Sequence, residues 1–175
     1  MKFTIKAGRK TANNKFSMRF NPGLILEFGF KLGKSCLYSD SGIIDGWNRI
    51  FGVTIPGTFE TCDLVFIKVR SVLTLGMIVN HNTFCGSLNH LNVKSLVSVQ
   101  PDQWHHCVIG KSKLDEGKWG YVIQVDGIDD PHLIPFQRRM YASHKRVPLM
   151  FLRHPKLGGR YTLENDCDIE IQFIN

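Results

Sequence analysis

Short apolar runs and alternating runs, separated by Gly, Pro, Asn and Asp, recur along the whole chain. The clearest is the segment 24–32, in which every second residue from Leu26 to Leu32 is apolar. Successive side chains of a strand point to opposite sides, so this alternation would bury one face of an extended segment. Helical periodicity is hard to find anywhere in the sequence. The pattern predicts an all-β protein.

The predicted strands are short, and turn residues separate them at intervals typical of a sandwich. Without crossover helices the strands cannot form a parallel sheet, which favours two antiparallel sheets stacked as a β-sandwich. The chain shows no internal repeat or linker, so we expect one domain over residues 1–175. The longest polar stretch, 80–92, is predicted to be a surface loop. The predicted strands are 3–7, 16–20, 24–32, 49–55, 62–69, 72–79, 93–99, 103–109, 119–126, 132–136, 147–153 and 167–174.

Two blocks of sequence contain motifs in addition to a strand pattern. The segments PDQWHHCVI at 101–109 and WGYVIQVDG at 119–127 are separated by a short polar loop. Together they resemble the paired Trp-His and Asp-Gly strands of the concanavalin A-like lectin and laminin-G-like β-sandwiches, in which the glycine supplies the positive φ of a tight turn. The segment 24–32 and the segment WNRIFG at 47–52 resemble two further motifs of that superfamily, and 168–174 is placed like its last strand. The resemblance implies a jelly roll.

Charge is the most distinctive feature of the composition. The net charge of +7 comes from 22 basic and 15 acidic residues, and the segments 1–20 and 138–160 contain no acid. If the fold brings these segments together, their field would attract phosphates, sulfated or sialylated glycans, or an acidic protein. Aromatic residues are sparse among these charges, so nucleic acid is not the favoured partner. The predicted basic patch consists of Arg138, Arg139, Lys145, Arg146 and Arg153.

A ligand site is predicted on the loops 40–48 and 80–92 or on the concave sheet. Exposed indole rings can stack on pyranose sugars because both are amphipathic, and asparagine amides can supply hydrogen bonds. The predicted ligand-binding residues are Trp47, Asn48, Asn80, Asn82, Trp119 and Tyr121.

No group of residues in the sequence predicts catalysis. Asp166, Asp168 and Glu170 would share one face of a strand, but their spacing does not match the paired carboxylates of a retaining glycosidase. A solvated face that balances basic neighbours is therefore favoured. The histidines and cysteines lack the paired spacing of zinc ligands, so neither a metal nor a cofactor is predicted. The sequence shows no phosphate-binding glycine loop and no catalytic triad, and the prediction is that the chain is not an enzyme.

The cysteines and the N-terminal residues indicate which cellular compartment is expected for the protein. Five cysteines without CxxC spacing indicate neither a disulfide framework nor a zinc ribbon. The two motif strands would allow Cys36 and Cys107 to meet across the sandwich, and the sequence leaves this open. The charged N-terminal residues lack the apolar segment of a secretion signal, and no apolar run approaches the roughly 18 residues of a membrane span. A cytoplasmic location or an assembled particle is favoured over classical secretion.

These observations predict a non-catalytic recognition module for a glycan or protein partner. The alternative is a structural subunit of a larger assembly, such as a viral or phage particle, for which homo-oligomerisation is expected. A glycoside hydrolase is the third and least favoured hypothesis, because it depends on the carboxylate strand.

Overall fold

A computed structural model describes residues 1–12, 19–20, 26–38, 46–54, 61–81, 90–113, 119–126, 132–135, 150–158 and 162–174. Within these ranges the chain forms β-strands and one short 3-10 helix, η1, so the all-β prediction is confirmed. None of the described residues belongs to a helix long and apolar enough to cross a membrane. The elements are β1 (Lys2–Ile5), β2 (Arg19–Phe20), β3 (Leu26–Leu32), η1 (Lys34–Cys36), β4 (Asn48–Thr54), β5 (Thr61–Val69), β6 (Val72–His81), β7 (His90–Val99), β8 (Trp104–Lys113), β9 (Trp119–Val125), β10 (His132–Pro135), β11 (Met150–Arg153) and β12 (Cys167–Phe173).

These strands form two six-stranded sheets. Sheet A has the order β1-β12-β3-β8-β9-β10, and sheet B has the order β2-β11-β4-β5-β6-β7. Every pairing between these strands is antiparallel. The predicted two-sheet antiparallel β-sandwich of jelly-roll type is therefore confirmed.

The hydrophobic core lies between the sheets and is built from alternate residues of their strands. Phe28 of sheet A and Phe51 of sheet B are both fully buried, and their rings meet edge to face with centroids 5.1 Å apart. Phe173 joins the same cluster at 5.6 Å from Phe51. Truncating one such ring to alanine typically costs about 3–5 kcal/mol of stability, so this cluster is a main connection between the two layers.

The predicted pairing of the Trp-His and Asp-Gly segments is confirmed, because β8 and β9 are antiparallel neighbours along their length. Asp126, which follows β9, ties the end of that strand to β8. One carboxylate oxygen accepts a hydrogen bond from the His106 backbone N–H at 2.8 Å, and the other lies 2.7 Å from His105 Nδ1. Asp126 itself adopts a left-handed φ of 53°. Gly127 was predicted to have the positive φ of this turn, and it lies outside the described residues.

The surface loop predicted at 80–92 is shorter than expected, because strands extend into it from both sides. Strand β6 continues to His81 and β7 begins at His90, and these two residues are cross-strand partners. Antiparallel sheets tolerate polar residues because one face can meet water, so polarity alone did not mark the end of the strand. Residues 82–89 lie outside the part of the chain that the structure describes.

The sequence left open whether Cys36 meets Cys107, and in the structure Cys36 meets Cys167 instead. Cys36 lies beside Cys167, with the sulfur atoms 3.0 Å apart, while Cys107 is buried separately on β8. The reason is the strand order of sheet A, in which β3 lies between β12 and β8. Cys36 follows the end of β3 in η1, next to the start of β12.

Candidate functional site

The face of sheet B that points away from the core is called here the outer face of sheet B. In β5 the even-numbered residues from Cys62 to Phe66 belong to the core, so Thr61, Asp63 and Val65 belong to the outer face. These three residues are only 9%, 7% and 2% exposed. The middle of this face is therefore sheltered, unlike the freely solvated outer face that an antiparallel sheet often has.

Trp47 covers part of this sheltered region. A Cβ atom placed on Gly76 of β6 would lie 2.7 Å from Cζ3 of the indole, so the ring packs directly on the bare backbone of that strand. A Cβ on Gly158 would lie 2.2 Å from the Trp47 carbonyl oxygen, so a second glycine lets the backbone at Trp47 approach closely. Trp47 is half-buried. Trp47 is thus anchored and partly exposed on the outer face of sheet B.

A charged pair lies on the same face. Nη1 of Arg49 is 3.6 Å from Oδ2 of Asp63, and the two side chains are only 15% and 10% exposed. The Nε atom of Arg49 also donates a hydrogen bond to the His154 carbonyl at 2.6 Å. A Cβ on Gly52 would lie 1.9 Å from Oδ1 of Asp63, so glycine leaves the space that the carboxylate occupies. These contacts restrain the Arg49 guanidinium to one position.

The strand register adds further positions to this face. Arg153 of β11 is the cross-strand partner of Gly52, which in turn is the partner of Asp63. Asn80 of β6 is the partner of Thr61. Cross-strand partners share a face, so Arg153 and Asn80 occupy positions on the outer face of sheet B. The other residues of the predicted basic patch lie outside the described ranges: Arg138, Arg139, Lys145 and Arg146.

Asn48 has a different environment from the one expected of a ligand-binding residue. It is fully buried, its Oδ1 accepts a hydrogen bond from the Gly158 backbone at 3.0 Å, and its Nδ2 donates to the Tyr38 hydroxyl at 3.4 Å. Buried polar groups need such partners, because an unsatisfied one costs stability. Asn48 thus helps to hold the segment before β4 in place, including its neighbour Trp47.

The remaining predicted ligand-binding residues are not gathered at one place. Trp119 and Tyr121 belong to β9 of sheet A, opposite Lys113 and Lys111 of β8. Asn82 lies outside the described residues. From the predicted set, the structure brings Trp47 and Asn80 to the outer face of sheet B.

The outer face of sheet A carries paired charges instead. Asp166, Asp168 and Glu170 each lie within 3 Å of a lysine, and the pairs are Lys6–Asp166 at 2.6 Å, Lys2–Asp168 at 2.9 Å and Lys31–Glu170 at 2.8 Å. Their side chains are a third or more exposed. The prediction of a solvated face that balances basic neighbours is confirmed for these three carboxylates. Among the described residues, no group of three His, Cys, Asp or Glu side chains could hold a metal ion.

The pKa of Asp168 reflects opposing causes. Partial burial, the largest of them, raises the pKa, but the hydrogen bonds from Lys2 and Thr4 together outweigh it, so the pKa lies below its usual value. The Lys6 hydrogen bond lowers the pKa of Asp166 in the same sense. Both carboxylates therefore stay ionised at neutral pH and are poor proton donors.

Sequence reasoning missed Arg49 and Asp63 as a pair. The available signal was a single charge inside each of two apolar strands, NRIFGV and TCDLVF. A charged residue is almost never buried without a partner, so two isolated charges in neighbouring buried strands are candidates for a pair. The strand pairing that brings them together depends on long-range topology, which the sequence pattern did not specify.

Three solved structures share this fold along almost the whole chain. The first is a double mutant of alginate lyase Aly36B in complex with an alginate trisaccharide, at 11% identity over 98% of this chain and 78% of the other, with a TM-score of 0.58. The second is an endo-beta-1,4-glucuronan lyase from the fungus Trichoderma reesei, at 12% identity over 98% and 77%, with a TM-score of 0.55. The third is alginate lyase A1-II', a member of polysaccharide lyase family-7, at 15% identity over 100% and 80%, with a TM-score of 0.56. No family model and no curated protein sequence matches this chain.

These structures correct two predictions from the sequence. All three neighbours are enzymes, which contradicts both the non-catalytic recognition module and the expectation that the chain is not an enzyme. Sequence reasoning looked for catalytic motifs within short segments, and a site assembled from separate strands would leave no such motif. At 11–15% identity the likeness establishes the fold alone. The neighbours are not structural or particle proteins, so they give no support to the alternative of a particle subunit.

The close approach of Gly52 to Asp63 predicts the effect of a substitution. Gly52→Ala would place a methyl group 1.9 Å from Asp63 Oδ1 and displace the carboxylate, and we expect a loss of about 1–3 kcal/mol in the free energy of unfolding, measured by urea denaturation. Gly29→Ala is the matched control, because a Cβ there makes only ordinary contacts, at 3.4 Å with the Trp104 ring and 3.9 Å with the Gln172 carbonyl. Equal losses in the two variants would contradict this description of the Gly52 site.

The lowered pKa of Asp168 predicts a pH dependence. The stability contributed by its ionised form is complete above the unfolded pKa of about 3.9 and is lost as the pH falls through the lower folded value. We expect Asp168→Asn to flatten the decline of stability on the acid side, measured by urea denaturation between neutral and strongly acidic pH. The exposed Glu164→Gln variant should keep the original profile. An unchanged acid decline in Asp168→Asn would show that other groups carry it.

Proposed function

We propose that the chain is a polysaccharide lyase that acts on an acidic, uronate-containing polysaccharide bound along the outer face of sheet B. The observation that carries the proposal is the Arg49 guanidinium, immobilised by Asp63 and the His154 carbonyl beside the accessible part of Trp47. The shared fold with lyases named for alginate and glucuronan supports it. The net charge of +7 supports a polyanionic substrate, because opposite charge accelerates encounter and favours binding.

The chemistry of a uronate polymer suits a fixed guanidinium. Each sugar carries a carboxylate, and a planar guanidinium can bind it through parallel N–H donors. When that carboxylate is neutralised, the C–H bond next to it becomes more acidic. A base removes this proton, and the electrons of the C–H bond form a carbon–carbon double bond. The C–O bond to the glycosidic oxygen breaks, and that oxygen takes up a proton from the solvent. A donor already in position stabilises the charge that develops without reorganising during the reaction.

The residues of the outer face of sheet B take different parts in this proposal. Arg49 contacts the uronate carboxylate, and Arg153 is a second cationic position for a neighbouring sugar. Asp63 acts through Arg49 and is a positioning residue, because its carboxylate is nearly buried against the guanidinium. Trp47 supplies a stacking surface for a pyranose ring, and Asn80 is a further polar position on this face. A glycan is thus the proposed partner.

An elimination assay tests this function directly. Alginate and polyglucuronate are incubated with the protein, and the new carbon–carbon double bond is followed by ultraviolet absorbance, with a neutral glucan as the control polymer. We expect product from an acidic polymer only. Arg49→Lys keeps the charge but loses the planar donor pair, so kcat/KM should fall by about 100-fold. The exposed Arg70→Lys variant should retain full activity.

The thermal unfolding of each variant is measured alongside, so that loss of activity is separated from loss of fold. A folded wild-type protein that produces no double bond from any uronate polymer would refute the lyase function. Activity that survives unchanged in a folded Arg49→Lys variant would instead move the site away from the outer face of sheet B.

The two faces of the sandwich can be distinguished by their tryptophans. Trp47 lies on the outer face of sheet B, whereas Trp104 lies on sheet A and is 49% exposed. We expect Trp47→Phe to raise KM for the polymer several-fold, because a smaller ring loses stacking area. Trp104→Phe should leave KM unchanged. A raised KM for Trp104→Phe alone would place the polymer on sheet A.

A further inference from the structure

Cys36 and Cys167 form a close pair within the fold, apart from the outer face of sheet B. Their sulfur atoms are 3.0 Å apart, and both side chains are fully buried. A disulfide bond is about 2.05 Å long, so the sulfur atoms need to approach by only about 1 Å to form one. The two residues are 131 positions apart in the chain, so this contact is a product of the fold and not of local sequence.

The backbone on both sides of the pair is tied together by hydrogen bonds. The Gly33 N–H donates to the Asp168 carbonyl at 2.9 Å, and the Asp168 N–H donates to the Ser35 hydroxyl at 3.0 Å. Within η1, the Cys36 N–H donates to the Gly33 carbonyl at 2.9 Å. The 3-10 helix is thereby fixed against the start of β12. Small side-chain rotations, rather than a backbone movement, are enough to bring the sulfur atoms to bonding distance.

We propose that Cys36 and Cys167 are a disulfide-forming pair, which a disulfide oxidant such as oxidised glutathione converts into an intramolecular cross-link between η1 and β12. The thiolate of one cysteine attacks a sulfur of oxidised glutathione and releases one reduced glutathione. The second thiolate then attacks the mixed disulfide and releases another. The protein loses two protons and two electrons, and the oxidant gains them.

Burial determines when this reaction takes place. The hydrogen bond with Cys167, followed by burial, raises the pKa of the Cys36 thiol well above its usual value. Because the thiolate is the reactive form, the folded dithiol reacts slowly. The cross-link therefore forms while the chain folds or opens, and once formed it is shielded from reductants. This inference does not depend on the proposed function.

The cross-link closes a long loop, which in the chain-entropy description restricts the unfolded state. We expect the oxidised protein to unfold at a temperature roughly 10 °C above the reduced protein. The loss of the disulfide should leave the folded structure intact, since the reduced pair is already accommodated in the core with its sulfur atoms 3.0 Å apart.

The test compares protein refolded with oxidised glutathione and protein refolded with a reductant. Each sample is unfolded and alkylated with N-ethylmaleimide, and its intact mass is measured. We expect three adducts after oxidation and five after reduction, since the chain has five cysteines. Peptide mapping without reductant should recover a peptide pair joined through Cys36 and Cys167.

The matched control is the double variant Cys36→Ala and Cys167→Ala. It should carry three adducts under both conditions and show no difference in unfolding temperature between them. Five adducts after oxidative refolding of the wild-type protein would overturn the proposal. So would a cross-link that joins Cys85 or Cys107 in place of this pair. Because no activity is measured, the outcome is separate from that of the lyase assay.

Discussion

The desolvation of Asp63 is the constraint around which the outer face of sheet B is organised. A carboxylate taken out of water needs a close opposite charge and space for its oxygens, because an isolated buried charge costs several kcal/mol. Arg49 supplies the charge, the His154 carbonyl fixes the guanidinium, and Gly52 leaves the space. The pair is too buried to be an ordinary surface ion pair.

The two outer faces of the sandwich differ in how far their charged pairs are buried. On sheet A, each acidic residue of β12 meets a lysine in a mixed-sign arrangement that solvent still reaches. Such pairs contribute little individually and present no excess charge to a ligand. On sheet B, Arg49 and Asp63 lie on the neighbouring strands β4 and β5, on the face that also carries the half-buried Trp47. The same types of residue thus form solvated ion pairs on sheet A and a nearly buried pair on sheet B.

Much of the fold could be predicted from local pattern. Alternation located the strands, including the edge strand β1 and the final strand β12, and the Trp-His and Asp-Gly segments correctly indicated the β8–β9 pairing. Strand ends were less predictable, because polar residues continue into β6 and β7 where one face of the sheet is free of the core. At the end of β9 the described residue with a left-handed φ is Asp126, whose carboxylate also binds β8.

The candidate site was harder to predict because it depends on contacts between distant strands. Trp47 and Asn80 were predicted as ligand-binding residues from side-chain chemistry alone, and both positions lie on the outer face of sheet B. The Arg49–Asp63 pair could not be assigned without knowing that β4 and β5 are neighbours with a particular register. The glycines that admit Trp47 and Asp63 have no signature in a single sequence, since their role is the space that they leave empty.

The position of β1 has a consequence for how the chain reaches its native state. Its hydrogen-bonding partner in sheet A is β12, and Thr4 bonds Asp168 across 164 residues. Strand β3 also has β12 as one neighbour, so the centre of that sheet is incomplete until the last strand arrives. During synthesis β1 and β3 keep an unpaired edge until β12 has been made. Most strands of sheet B are consecutive in the chain, so that sheet can assemble first. Such long-range closure makes folding slow and leaves the nascent chain dependent on protection from aggregation until translation has passed β12.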